Sequence, residues 1–186
     1  MKKIAIFASG NGSNFQAIIN EIENGTLIAE IAALVTDKPH CVAVERAQKH
    51  NIPVFSFIPK NYVSKEEYEK EIAFFLIEKN VSLIVLAGYM RLIGDVLLKA
   101  FHNRIINIHP ALLPAFPGKN GIQQAYHYGV KVFGVTVHFV DAGIDTGKII
   151  DQECFKVEKT ETLAEIEQKI HVIEHMLYTR VIMEIL

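Results

Sequence analysis

The segment Asn107-Ile108-His109-Pro110 sets an amide and an imidazole two residues apart. Strand side chains alternate, so Asn107 and His109 share one face while Ile106 and Ile108 point to the other. Pro110 biases His109 towards an extended backbone and ends the strand. A polar pair at the C-terminal end of a sheet strand stands where open α/β folds bind ligands. Taken alone, the segment reads equally well as a hydrogen-bonded structural pair.

A second segment, Ser9-Gly10-Asn11-Gly12-Ser13-Asn14, falls between an apolar run and a helical pattern. Glycines let the backbone bend tightly, and a helix start offers free N–H groups at the positive end of its dipole, a ready anion site. No Gly-Lys-Ser/Thr follows, so it is not a P-loop. Phe15 stands at the third glycine position of a dinucleotide fingerprint. Asp37 ends the second strand, where a ribose-binding acid would sit, but the loop favours a single phosphate over a pyrophosphate. The competing reading is an ordinary βα turn in which Ser or Asn caps the helix.

A third segment, Asp141-Ala142-Gly143-Ile144-Asp145-Thr146-Gly147, offers two carboxylates in a tight loop. It also reads as a solvated hairpin connection, and it lacks the oxygen-ligand spacing of a calcium loop. His171 and His175 stand four apart on a helical pattern, a metal-compatible spacing. With no third ligand and no His-Glu-x-x-His, no metal is expected. His138 falls mid-strand and reads as a satisfied structural histidine. Cys41 and Cys154 have no motif that would make either a thiolate nucleophile.

The elements that must position these groups follow from hydrophobic periodicity. Strands are expected at residues 3–8, 31–36, 54–57, 82–87 and 104–109, alternating with helices at 14–23, 42–50, 66–79 and 95–101. Ser64 suits an N-cap for the third helix. Residues 82–87, Ser-Leu-Ile-Val-Leu-Ala, suit a central parallel strand buried on both faces. The alternation predicts an α/β fold: a doubly wound, mostly parallel, Rossmann-like sheet with right-handed crossovers. After His109 the rhythm changes. Pro110, Pro114 and Pro117 punctuate a loop, and a helix follows at 122–128. Strands at 132–140 and 148–157 leave no room for a crossover helix and are expected to be antiparallel neighbours. A long C-terminal helix closes the chain from about residue 163 to 186, with Leu163, Ile166, Ile170, Ile173, Leu177 and Val181 forming one buried stripe.

The chain has 186 residues, which fits one domain. Its formal net charge of −2 argues against a broad nucleic-acid surface but leaves room for a small anionic ligand. Two cysteines are too few for a disulfide framework, so a reducing cytoplasm is the default. The N-terminal Met-Lys-Lys followed by five or six apolar residues is too short for a signal h-region or a membrane span, and a buried first strand is the better reading.

In their order along the chain, residues 9–14, Ala87-Gly88-Tyr89-Met90-Arg91-Leu92-Ile93, Asn107-Ile108-His109-Pro110-Ala111-Leu112-Leu113-Pro114 and residues 135–147 resemble the folate-dependent glycinamide ribonucleotide formyltransferases of purine synthesis. The Asn-x-His strand with a downstream Asp marks the wider 10-formyltetrahydrofolate superfamily; the residue-10 loop and Gly-Tyr-Met-Arg narrow it. The resemblance implies a catalytic trio of Asn107, His109 and Asp145. It assigns Gly12, Ser13 and Asn14 to the phosphate of the ribonucleotide, and Glu174 to an acidic contact with the same substrate. Lys65, Leu86, Met90, Arg91, Leu92, Ile93, Asn107, Val140 and Asp141 fall to the folate pocket. Lys65 stands where many relatives have Arg, retaining charge but losing the bidentate fork. Ala111, Asn120 and Lys148 replace a common Ser, a His found in some relatives and a common Pro.

By that resemblance the chain is one formyltransferase domain, residues 1–100 mainly on the ribonucleotide-phosphate side and 101–186 mainly on the catalytic and folate side. It is expected to act as a monomer or homodimer on small molecules, with 10-formyltetrahydrofolate as cosubstrate and with no metal, nucleic acid or membrane partner. The amine would attack the formyl carbon directly. The Asn107 amide and a protonated His109 would stabilise the oxyanion, and Asp145 would favour the imidazolium and order a proton-carrying water. The rival superfamily members need a further domain, basic and C-terminal in methionyl-tRNA formyltransferase and regulatory and N-terminal in formyltetrahydrofolate hydrolase, and neither is expected here. A non-catalytic module binding a phosphorylated metabolite would leave the Asn107, His109 and Asp145 set unexplained.

Overall fold

The computed structural model describes residues 1–158 and 160–186. Seven strands form one sheet in the order β3-β2-β1-β4-β5-β6-β7. They are β1 (Lys2–Phe7), β2 (Ala29–Thr36), β3 (Val54–Ser56), β4 (Leu83–Leu86), β5 (Ile105–His109), β6 (Val132–Phe139) and β7 (Ile149–Lys156). The helices are α1 (Ser13–Glu23), α2 (Val42–Lys49), α3 (Lys65–Glu78), α4 (Asp95–Ala100), α5 (Gly121–Tyr128) and α6 (Leu163–Ile185). A 3-10 turn at Pro59–Asn61, which periodicity is too short to register, precedes α3.

The first five strands pair in parallel through helical crossovers. The expected reversal then occurs, and β6 pairs antiparallel with both β5 and β7. All four residues of β4 are buried, as a strand covered on both faces requires. One core layer joins Ile4, Ile6, Phe15, Ile106 and Ile108 to Ile166, Ile170 and Tyr178 of α6. The other packs Ala5, Phe7 and Ile84 against Ile72, Leu76, Leu97 and Phe101 of α3, α4 and its C-terminal flank. Ser64 caps α3 by accepting from the Glu67 N–H at 3.3 Å, and Thr162 and Glu165 form a reciprocal capping box on α6.

Two polar anchors fix the region around β5. The fully buried Tyr178 hydroxyl reaches from α6 to the carbonyls of Leu86 (2.9 Å) and Ile106 (3.1 Å), tying the ends of β4 and β5 to the helix. Thr136 of β6 donates to the Ala111 carbonyl (2.7 Å) and accepts from the Leu113 N–H (3.0 Å), while Gln152 of β7 donates to the Leu113 carbonyl (2.9 Å). The proline-rich loop after His109 is thereby held against the antiparallel edge. Among the described residues no helix is long and apolar enough to cross a membrane.

Removing the Tyr178 hydroxyl leaves two buried carbonyl groups without that donor. Tyr178→Phe is therefore expected to lose about 1–3 kcal/mol of unfolding free energy in urea titration, since the ring still packs and only the hydrogen bonds go.

Candidate active site

Asn107 and His109 sit at the C-terminal end of β5, on the face that alternation assigns them. Register pairs Asn107 with His138 and His109 with Thr136 across the antiparallel ladder, and Asn107 with Leu86 across the parallel one. Into this corner the β6–β7 connection delivers Asp145, whose backbone takes a left-handed conformation (φ 54°). Its loop is braced by Asp141, which accepts from the Gly143 N–H (3.0 Å) and the Thr146 hydroxyl (2.7 Å).

The three side chains meet. Asp145 Oδ2 lies 3.3 Å from His109 Nδ1 and accepts from the Gly118 N–H at 2.7 Å. Its Oδ1 accepts from Asn107 Nδ2 at 3.3 Å. The other His109 nitrogen, Nε2, lies 2.8 Å from the Phe116 carbonyl. Both ring nitrogens thus face acceptors, an arrangement that a doubly protonated ring satisfies. Burial alone would raise the Asp145 pKa; the bond to His138, the Gly118 N–H and the adjacent imidazoles outweigh it and hold the carboxyl below its ordinary range.

His138 is a fourth member. Its Nδ1 donates to the Phe139 carbonyl (2.8 Å), and its Nε2 stands 3.2 Å from Asn107 Nδ2 and 3.4 Å from Asp145 Oδ1. It is buried and satisfied, as expected of a structural histidine, but its partners belong to the trio. Antiparallel pairing of β6 with β5 is the signal that finds it, because the ladder sets His138 opposite Asn107. Phe116 and Gly118 contribute only backbone groups, which no side-chain pattern announces.

The loop after β1 behaves as an open helix end. Gly12, at φ 71°, is the N-cap of α1, and no side chain caps it. The amides of Ser13, Asn14 and Phe15 therefore face out of the helix end. Asn14 Oδ1 is buried without a hydrogen-bond partner among the described residues. Arg46 of α2 braces the loop, donating to the Asn11 carbonyl (2.9 Å), Asn11 Oδ1 (2.9 Å) and Gln16 Oε1 (3.0 Å). Asp37 is turned to the Ser9 hydroxyl (2.5 Å).

Glu174 lies one helical turn before Tyr178, on the side of α6 nearer the C-terminal strand edge. It is buried, and its Oε2 is 2.7 Å from His171 Nδ1. That pair accounts for one of the two histidines whose spacing suits a metal; burial lowers the pKa of the other, His175. Between loop and trio runs the segment after β4. Met90 and Leu92 are exposed, Ile93 is buried, and the half-exposed Arg91 reaches Tyr68 (3.4 Å) and Asp37 (3.8 Å). Lys65 packs at Gly94, with Nζ 3.9 Å from buried Glu69. Val140 donates to the Ile105 carbonyl (2.9 Å).

Because β1, β4 and β5 are consecutive neighbours, the loops that follow them emerge side by side. The molecule is thus a Rossmann-like α/β protein with an anion-ready helix end beside a buried amide–imidazole–carboxylate cluster. The sequence profile described as Formyl transferase matches residues 2–182, and the chain belongs to that family. It is 52% identical to the phosphoribosylglycinamide formyltransferase of Bacillus subtilis over 186 residues, all of this chain and 95% of the relative. It is 33% identical to the human trifunctional purine biosynthetic protein adenosine-3, spanning 95% of this chain but 17% of that protein. The solved glycinamide ribonucleotide transformylase 1 of Geobacillus kaustophilus superposes with a TM-score of 0.97 at 49% identity, covering 100% of this chain and 99% of that one. The phosphoribosylglycinamide formyltransferase structure from Bacillus halodurans gives 0.95 at 51%, covering 99% and 95%.

A carboxyl whose folded pKa is depressed stabilises the fold above its unfolded pKa of about 4 and loses that contribution as pH falls through the folded value. Asp145→Asn should therefore be less stable than the parent at pH 7, with the gap in urea-unfolding free energy narrowing between about pH 5 and about pH 3. An unchanged gap across that range would mean that the ionised carboxylate does not contribute.

Proposed function

We propose that the protein transfers the formyl group of 10-formyltetrahydrofolate to the primary amine of glycinamide ribonucleotide, yielding formylglycinamide ribonucleotide and tetrahydrofolate in de novo purine synthesis. The observation that carries the reading is the Asp145 carboxylate within 3.3 Å of both His109 and Asn107, in a chain 52% identical throughout to a phosphoribosylglycinamide formyltransferase. We read residues 1–186 as one such domain, its first hundred residues mainly on the phosphate side and the remainder mainly on the catalytic and folate side. It works on small molecules in the cytoplasm.

In this reading the ribonucleotide phosphate takes the amides of Gly12, Ser13 and Asn14, and the open oxygen of Glu174 accepts from the same substrate. The folate lies against Leu86, the segment from Met90 through Ile93, Val140 and Asp141, with Lys65 towards its acidic tail. The substrate nitrogen attacks the formyl carbon, and the carbonyl electrons move onto oxygen. His109 and Asn107 donate to that oxyanion. In the structure their hydrogens are engaged by the Phe116 carbonyl, Asp145 and His138. A full negative charge competes well with the neutral Phe116 carbonyl for the His109 hydrogen, because charge-assisted bonds are about twice as strong as neutral ones. Asp145 holds the imidazole in orientation and sets a water that passes the amine proton to the departing folate nitrogen. Collapse of the intermediate restores the carbonyl and breaks the bond to folate.

Turnover of 10-formyltetrahydrofolate that requires glycinamide ribonucleotide supports the assignment. Acceptor-independent turnover would indicate a hydrolase, and tight binding without turnover a binding module. Asn107→Ala and Asp145→Ala should each lower kcat on the order of 100-fold or more, as for a lost oxyanion donor or its support. Near-normal turnover by either would refute the mechanism. Gly12→Ala forces a left-handed alanine whose Cβ meets Ala43 Cβ at 3.0 Å. It should raise KM for the ribonucleotide about tenfold, the scale of that backbone strain, with the KM for the folate little changed.

A further inference from the structure

Ser9 follows β1 and opens the phosphate loop, yet most of its hydrogen bonding is directed elsewhere. Its N–H donates to the Gly88 carbonyl (3.1 Å), its hydroxyl accepts from the Met90 N–H (3.0 Å), and the same hydroxyl donates to Asp37 Oδ1 (2.5 Å). Ser9 is 2% exposed and the Asp37 side chain 8%, so water does not readily replace these bonds. The second Asp37 oxygen faces Arg91 Nη1 at 3.8 Å, and Arg91 also reaches Tyr68. The loop after β1 and the segment after β4 are therefore fastened to one another directly, by one backbone bond and by one hydroxyl that carries the side-chain contacts.

We propose that Ser9 is a positioning residue shared by the two substrate sites, holding the phosphate loop and the folate wall in one relative placement. This rests on the assignment of those sites made above. Arg46 fixes the first loop to α2 and Arg91 ties the second to Tyr68, but among the described residues only the Ser9 and Asp37 contacts join the two. Direct transfer needs the amine and the formyl carbon at near-contact distance. A hydroxyl bonded to both loops sets their separation. Its loss leaves the Met90 N–H and the Asp37 carboxylate short of a partner, and both loops relax.

Steady-state constants for each substrate in the wild type, Ser9→Ala, Asp37→Ala and Asp37→Asn test this. Ser9→Ala is expected to raise both KM values, each about 5- to 30-fold as for one lost buried hydrogen bond, with kcat within about threefold. Asp37→Ala should raise both in smaller measure, and Asp37→Asn, which keeps an oxygen acceptor for the hydroxyl, should recover most of the loss. A variant that was only less stable would lose active fraction, and so kcat, with KM unmoved. A rise confined to one substrate, or a fall in kcat with both KM values unchanged, overturns the proposal. Should Ser9→Ala fail to fold, the comparison of Asp37→Ala with Asp37→Asn decides by the same criterion. Absence of turnover in the wild type would overturn the assigned reaction and this proposal together, whereas wild-type turnover with the wrong variant pattern overturns this proposal alone.

Discussion

The Asp145 carboxylate is half-buried among two imidazoles, an amide and a backbone N–H, and most of the site's geometry follows from meeting its needs. A carboxylate taken out of water is costly unless its oxygens are occupied by donors. Here Oδ2 is shared by His109 and Gly118, and Oδ1 faces Asn107 and His138. These four groups come from three elements: His109 and Asn107 from β5, His138 from β6, Gly118 from the loop before α5. Satisfying one acid therefore fixes the relative placement of three segments. The loop that carries Asp145 is itself constrained. Asp141 folds it from within, and Gly147 lies so close to the Phe139 carbonyl that a side chain there has no space.

That arrangement depends on where the sheet changes direction. A wholly parallel sheet would follow β5 with a helix and carry the next strand's start back to the opposite edge. Antiparallel pairing sets the end of β6 beside Ile106, near the start of β5, and the loop from β6 to β7 carries Asp145 back to Asn107 and His109. The parallel half does different work. Its crossovers place the ends of β1 and β4 beside β5, so that an open helix terminus and an apolar wall flank the polar cluster. Tyr178 fastens α6 to the last two strands of the parallel half by bonding to carbonyls on both β4 and β5.

Strand and helix positions were legible in the sequence because burial imposes a period on them. Boundaries moved by one or two residues, as at β2, which starts at Ala29 rather than 31. Asn107 and His109 were legible as a pair because a strand's alternation is local. Asp145 was not secured by any local rule; it lies 36 residues from His109, and only the fold and the family resemblance bring them together. His138 shows the same limit from the other side. As a lone histidine in an apolar strand it had no visible partner until β6 was set antiparallel to β5. Asp37 reads as a ribose-binding acid from its place after β2, but its carboxylate is turned to the Ser9 hydroxyl, a partner 28 residues away.

The division between local and long-range determinants also separates chemistry from recognition. In the proposed reading the loop after β1 would hold phosphate through backbone amides, so its sequence needs only residues that permit the turn, and Gly12 at φ 71° is such a residue. In the proposed mechanism the Asn107, His109 and Asp145 cluster works through side-chain donors whose protons must be aimed, and aim cannot come from one segment. His109 alone could point several ways. With Asp145 at Nδ1 and the Phe116 carbonyl at Nε2 the ring has one orientation and both nitrogens face fixed partners. A donor already oriented by weaker internal acceptors needs little reorganisation when negative charge develops nearby. On that mechanism the internal bonds of the cluster orient its donors beforehand, and the bond of His109 to the neutral Phe116 carbonyl is the one an oxyanion would displace most readily.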